Sequence, residues 1–162
     1  MADAPNPLVP TAEHARLEDN VGRWNVQCTY HLGGGQQPMQ ATGQDTIERV
    51  GPFWTLSHLR SDLMGAPFVG RAAVGYDPRT GKWVSTWIDS MSPFLYVLEG
   101  GFDASGKVLE LTCDTIGADG QPLRLRTREE HRSRDHRVLD MFRIDEAGAE
   151  TQVFRYEYRR AR

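Results

Sequence analysis

From Gly22 to its C-terminal end the chain shows no stretch of helical apolar spacing, and turn signals cut it into short alternating runs. The signals are Gly33-Gly34-Gly35, Val50-Gly51-Pro52, Asp77-Pro78-Arg79-Thr80-Gly81, Asp103-Ala104-Ser105-Gly106, Ala118-Asp119-Gly120 and Glu146-Ala147-Gly148. Each offers a Gly free to take positive φ, a Pro with fixed φ, or an Asp that bonds its own backbone. Between them lie ten expected strands: 23–32, 38–49, 54–62, 68–76, 82–90, 94–102, 107–115, 122–132, 137–145 and 150–160. Strands that follow one another on tight turns, with no helical crossover, pair as an antiparallel meander. A ten-strand meander removes its exposed edges most simply by closing into an up-and-down barrel. Only the segment before Gly22 reads as helix: Thr11 can cap it, and His14, Leu17 and Val21 form one stripe before Gly22 ends it. So short a helix is stable only if that stripe docks, and one end of the barrel is the place for it.

Alternation assigns the faces. Trp24, Val26, Cys28 and Tyr30 share one side of the first strand. Leu123, Leu125, Thr127, Glu129 and His131 oppose Arg124, Arg126, Arg128 and Glu130. Leu109, Leu111 and Cys113 form one inner set, and Phe154, Tyr156 and Tyr158 another. The inner surface is therefore aromatic and carries a few polar groups, as a small-ligand cavity requires. Composition agrees. Leu, Ile, Val and Phe together make 34 of 162 residues, few for a densely filled core, yet the net charge is only -3 and does not suggest disorder.

Several classes are excluded. No run approaches the ~20 apolar residues of a membrane helix. Residues 1–10 have neither the charged nor the apolar region of a secretory signal and read as a flexible tail before a single domain, which places the protein in the cytoplasm. Two cysteines, Cys28 and Cys113, are too few for a disulfide framework and are expected to be reduced and inert. Residues 122–162 hold 11 basic and 8 acidic groups against 8 and 14 in the rest, too mixed for a nucleic-acid footprint. No Gly-x-Ser-x-Gly elbow, phosphate-binding loop or dinucleotide fingerprint is present. Glu130-His131 and Asp135-His136 match no ligand spacing, so neither a metal nor another cofactor is expected.

A short helix running into Gly22-Arg23-Trp24 resembles the Gly-x-Trp opening of lipocalins and related calycin barrels. That resemblance implies a Trp closing the barrel floor and stacking on an Arg of the last strand, here Arg155 or Arg159. A longer pattern is more specific. It comprises His14, Leu17 and Gly22-Arg23-Trp24, then Met64-Gly65-Ala66-Pro67-Phe68-Val69-Gly70, Val74-Gly75-Tyr76-Asp77, Trp87-Ile88-Asp89-Ser90-Met91, Gly100-Gly101-Phe102-Asp103 and Tyr156-Glu157-Tyr158-Arg159. Over about residues 13–160 it resembles the bacterial DUF1579 family, which implies a lipocalin-like barrel and leaves the chemistry open. Haem-binding nitrobindin barrels differ: here Trp24 is followed by Asn25-Val26-Gln27, and no His lies beyond His136.

Candidate chemistry centres on Trp87-Ile88-Asp89-Ser90. A strand normally excludes Asp, so Asp89 is either held toward the lumen as an acceptor or base, or caps the turn that follows. His58, if it faces inward with Trp54 and Leu56, would be a lumen titratable group able to pair with Asp89 or Glu129. The 61–70 segment reads as a loop that could lid the mouth or form a dimer contact. The expected role is binding of a small apolar or aromatic molecule, with Trp24, Trp87, Tyr96 and Tyr156 as walls and His58, Asp89 and Glu129 orienting it. The alternatives are an isomerase, cyclase or hydrolase with His58 or Asp89 as base, and a homodimeric module with a filled lumen.

Overall fold

The computed structural model describes residues 6–162; the part of the expected tail in residues 1–5 lies outside it. Ten antiparallel strands form one closed barrel: β1 (Gly22–Tyr30), β2 (Met39–Val50), β3 (Trp54–Leu63), β4 (Ala66–Asp77), β5 (Lys82–Asp89), β6 (Tyr96–Phe102), β7 (Val108–Ile116), β8 (Pro122–Ser133), β9 (His136–Ile144) and β10 (Glu150–Arg160). Each strand pairs with its neighbours in sequence, and β1 pairs with β10, Trp24 facing Arg160 and Cys28 facing Tyr156. Every expected strand is present, with ends shifted by at most two residues. No described helix is long and apolar enough to cross a membrane.

The N-terminal helix α1 (Ala12–Arg16) tightens into a 3₁₀ turn over Leu17–Asn20 and stops at Gly22, whose φ of 126° suits only glycine. Its stripe does dock. Leu17 is buried, and His14 sits between Phe53 and Tyr76 with its ring edge-on to both. The Thr11 amide donates to His14 Nδ1 (3.0 Å), so the ring must donate from Nε2 to the Tyr76 carbonyl (3.0 Å). His14 thus serves as a neutral structural plug at the helix end of the barrel.

Alternation holds in most strands. The interior splits into two apolar lobes, one of Trp24, Val26, Cys28, Ile47, Leu59, Phe68, Tyr156 and Tyr158, the other of Leu17, Trp83, Leu98, Leu109, Leu111, Cys113 and Leu125. Both cysteines are free and buried, and burial pushes the Cys28 thiol up to about 11, which keeps it protonated and unreactive at neutral pH. The outer face of β7 to β10 is a ladder of ion pairs, including Asp114–Arg124, Arg126 with Glu110 and Glu150, and Asp140–Arg155. The excess of arginine in the last 41 residues is spent here, against acids on neighbouring strands.

The 61–70 segment is not a lid loop. It is the tip of the β3–β4 hairpin, paired through Leu63 and Ala66, and Phe68 points into the core. The turn is only Met64-Gly65, both with positive φ (57° and 82°), a type I′ geometry that matches the twist of the strands. Met64 is 85% exposed and is the one non-glycine residue with positive φ among those described. Met64→Asn should raise stability by about 1 kcal/mol, because Asn tolerates this conformation and no contact is lost. A thermal midpoint that does not rise would show that the strain is relieved elsewhere.

Candidate functional site

Between the two apolar lobes the barrel keeps an internal cavity of about 380 Å³. It runs from Asn20, Asp45, Glu129 and Arg137 at the helix end to Asp89 and Arg143 toward the opposite mouth. Its walls are mainly apolar and aromatic: Ile47, Val74, Trp87, Tyr96, Leu98, Leu109, Leu111, Leu125, Tyr156 and Tyr158 among them. Loops at the mouth expose Leu32, Met64, Met91, Leu95 and Ile116, so the open end has an apolar rim.

The floor is built on Trp24. Its ring is 1% exposed and lies between two guanidinium groups, Arg137 at 5.1 Å and Arg160 at 4.2 Å from the ring centre, while Nε1–H donates to the Asn20 carbonyl (2.9 Å). The stacking arginine is therefore Arg160, not Arg155 or Arg159. Residues 156, 158 and 160 share the inner face, so Arg160 continues the Tyr156–Tyr158 row, and Arg155 and Arg159 point outward to Asp140 and Glu157. Arg160 also ties the last strand to the helix through the Val21 and Asp19 carbonyls (2.7 and 2.9 Å). Trp24 seals the floor and does not line the cavity.

Above it lies a buried polar group. Arg137, 4% exposed, forms an ion pair between Nη1 and Glu129 Oε2 (3.0 Å) and stacks on Tyr158 at 3.8 Å. Its Nε has no partner. Glu129 Oε1 also accepts from Asn20 Nδ2 (3.3 Å), and His131 Nε2 stands 2.9 Å away without hydrogen-bond alignment. Burial alone would push the Glu129 carboxyl up, but the charge of Arg137 and the nearby His131 outweigh it and hold it below the usual carboxylate range. Across the floor Asp45, 2% exposed, accepts from the Ser57 hydroxyl at both oxygens (2.7 and 2.8 Å), and here burial wins and raises the carboxyl.

Toward the mouth, the Trp87 ring packs against Gly70, where a Cβ would clash with it, so the indole wall depends on that glycine. Trp87 Nε1 donates to Asp89 Oδ2 (2.9 Å), and Asp89 Oδ1 accepts from the Met91 and Ser92 amides (2.9 and 3.1 Å). Asp89 thus lines the cavity and caps its turn at once, and three N–H donors occupy most of its lone pairs. The Tyr30 and Tyr156 hydroxyls bond at 2.9 Å. Burial pushes Tyr30 up to about 12 and Tyr156 higher still, so both are neutral hydrogen-bonding groups.

A protein-family model described as a protein of unknown function, DUF1579, matches residues 9–160. The chain belongs to the DUF1579 family. Among solved structures, this DUF1579 barrel is similar to Rv2717c from M. tuberculosis, with TM-score 0.67 and 12% identity over 95% of this chain and all of that one. It is also similar to the S-type phycobiliprotein lyase CPES from Guillardia theta, with TM-score 0.60 and 11% identity over 94% and 99% of the two chains. At these identities the likeness is one of fold. No curated protein matches.

Of the residues singled out in sequence, the DUF1579 cavity gathers Trp87, Asp89, Tyr96, Glu129 and Tyr156. His58 is excluded. Thr55, Ser57 and Leu59 are the inward set of β3, and His58 lies on the outer wall with Nε2 2.9 Å from Glu48. Trp54 is outside as well, packed over Gly75. Apolarity misleads in this strand because its outward residues are the larger ones. Glu130 and His136 also face outward, apart from His131, so the two acid–His pairs do not converge. The polar floor members Asp45, Ser57 and Arg137 were not singled out. A signal existed, since Asp45 shares its face with Ala41 and Ile47, and Arg137 with Leu139 and Met141.

Proposed function

We propose that this DUF1579 protein binds a small, largely apolar molecule inside the barrel, entering at the rim opposite the helix. The observation that carries this reading is the cavity itself. It has the volume of a small-ligand site, mainly apolar and aromatic walls, and its charged groups toward the two ends. Trp87, Tyr96 and Tyr156 are the walls, Asp89 orients a polar group near the mouth, and Glu129 with Arg137 forms the floor. The same geometry removes His58 as a general base, because its ring is on the outside.

At roughly 30 Å³ per heavy atom, the share a water takes in the liquid, 380 Å³ holds about a dozen such atoms. Native mass spectrometry of the purified protein should show a co-purified small molecule, or calorimetry should detect uptake of a ten-carbon alcohol. Val74→Trp and Leu111→Trp, which fill the cavity from β4 and β7, should each cut that affinity about tenfold or more. Retained affinity in both folded variants would place the ligand outside the lumen.

A further inference from the structure

Resting on the lumen-binding reading, we infer that the ligand carries a protonated amine, whose ammonium docks on Asp45 at the cavity floor. Three charged side chains meet there: Glu129, Arg137 and Asp45. Arg137 is ion-paired with Glu129 and stacked on Tyr158, and His131 also stands against Glu129. That leaves Asp45. Among the described residues no cationic side chain forms an ion pair with it, and its side-chain partner is the Ser57 hydroxyl alone. A buried carboxylate outside any ion pair is costly for a protein to carry; Arg137 attracts Asp45 only from beyond ion-pair distance, and Asp45 lines space that an ammonium could fill. An anionic head would meet two carboxylates against one guanidinium already engaged, so the charge count favours a cation.

The surroundings suit the rest of such a molecule. Ser57, whose hydroxyl lies on Asp45, and Thr55 and Thr127, which also line the cavity, offer hydroxyl oxygens that can accept the remaining ammonium protons. Ile47, Val74, Leu98 and Leu111 supply apolar lining to the same cavity, beside the aromatic walls. The ligand class is therefore a primary or secondary amine on an apolar body of about ten carbons.

Calorimetric titration at pH 7 with n-decylamine, n-decanol and decanoate separates the possibilities, since the three share one chain length. The amine should bind about tenfold or more tighter than the alcohol, in line with a hydrogen bond to a charged partner, and decanoate should bind weakest. Asp45→Asn should abolish the preference of amine over alcohol. Decanol binding with no amine preference, or decanoate binding tightest, overturns the amine assignment and leaves the lumen reading intact. Failure of all three to bind overturns the lumen reading itself. The ranking in the unmodified protein decides the matter even if the Asp45 variant does not fold.

Discussion

Glu129→Gln is expected to lower the stability of the barrel by about 3–5 kcal/mol at neutral pH, a fall of roughly 10 °C in its thermal midpoint. The substitution leaves Arg137 almost wholly buried without its ion-pair partner, with only the more distant Asp45 to offset its charge, and that is far costlier than the intact pair. Removing both charges with Glu129→Leu and Arg137→Leu together should recover most of the loss, since hydrophobic replacement of a whole buried pair is often neutral. The pH dependence has a definite sign. The folded carboxyl titrates below its ordinary value of 4.5, so the unfolded chain takes up the proton first as acid is added. The pair's contribution is therefore complete above about pH 4.5 and shrinks below it, and the gap between the original protein and the Gln variant narrows in the same window. Urea unfolding at pH 7 and pH 4 measures both. A cost below about 1 kcal/mol at pH 7 would mean that water reaches the floor.

Trp24→Ala should be as damaging, by about 3–5 kcal/mol. Its ring fills the floor between two guanidinium groups and meets Tyr158 edge-on at 6.4 Å, so its loss opens a void beneath Arg137 and frees Arg160. Trp24→Phe keeps much of the volume but cannot donate to the Asn20 carbonyl. It should cost about 1–3 kcal/mol, because that carbonyl belongs to the turn joining helix to barrel. The ordering Ala worse than Phe worse than Trp, read by denaturant unfolding, tests the floor as a packed unit. Equal losses for Ala and Phe would assign the effect to the hydrogen bond alone.

The barrel was legible because each hairpin carries local signals. Turn residues mark the strand ends, and the absence of helical crossovers dictates neighbour pairing. The lumen was half legible. On β8 the alternation is strict, and Glu129 faces the lumen as read; on β5 Trp87 and Asp89 do too. On β3 both faces mix sizes and polarities, so periodicity could not say whether Ser57 or His58 looks inward, and the larger aromatic and imidazole groups drew the wrong choice. Arg160 was missed for a related reason: an arginine looks like a surface group until a buried aromatic ring offers it a face. Whether Asp45 has a counter-charge is a matter of distances between strands far apart in sequence, and no pattern within one strand encodes it.

The pairing of β1 with β10 has a consequence for how the chain folds. Nine of the ten ladders join consecutive strands and can zip from their turns, with little entropy lost to loop closure. The tenth brings Trp24 to Arg160 across 136 positions, and closing a loop of that length costs ~4 kcal/mol in chain entropy. The cylinder is thus a curled ribbon until its two margins meet. The Trp24–Arg160 contact, with the Arg160 bonds to Val21 and Asp19, is the clasp at that seam. An enclosed lumen exists only after the clasp has shut, so the last step of assembly is also the one that creates the binding space.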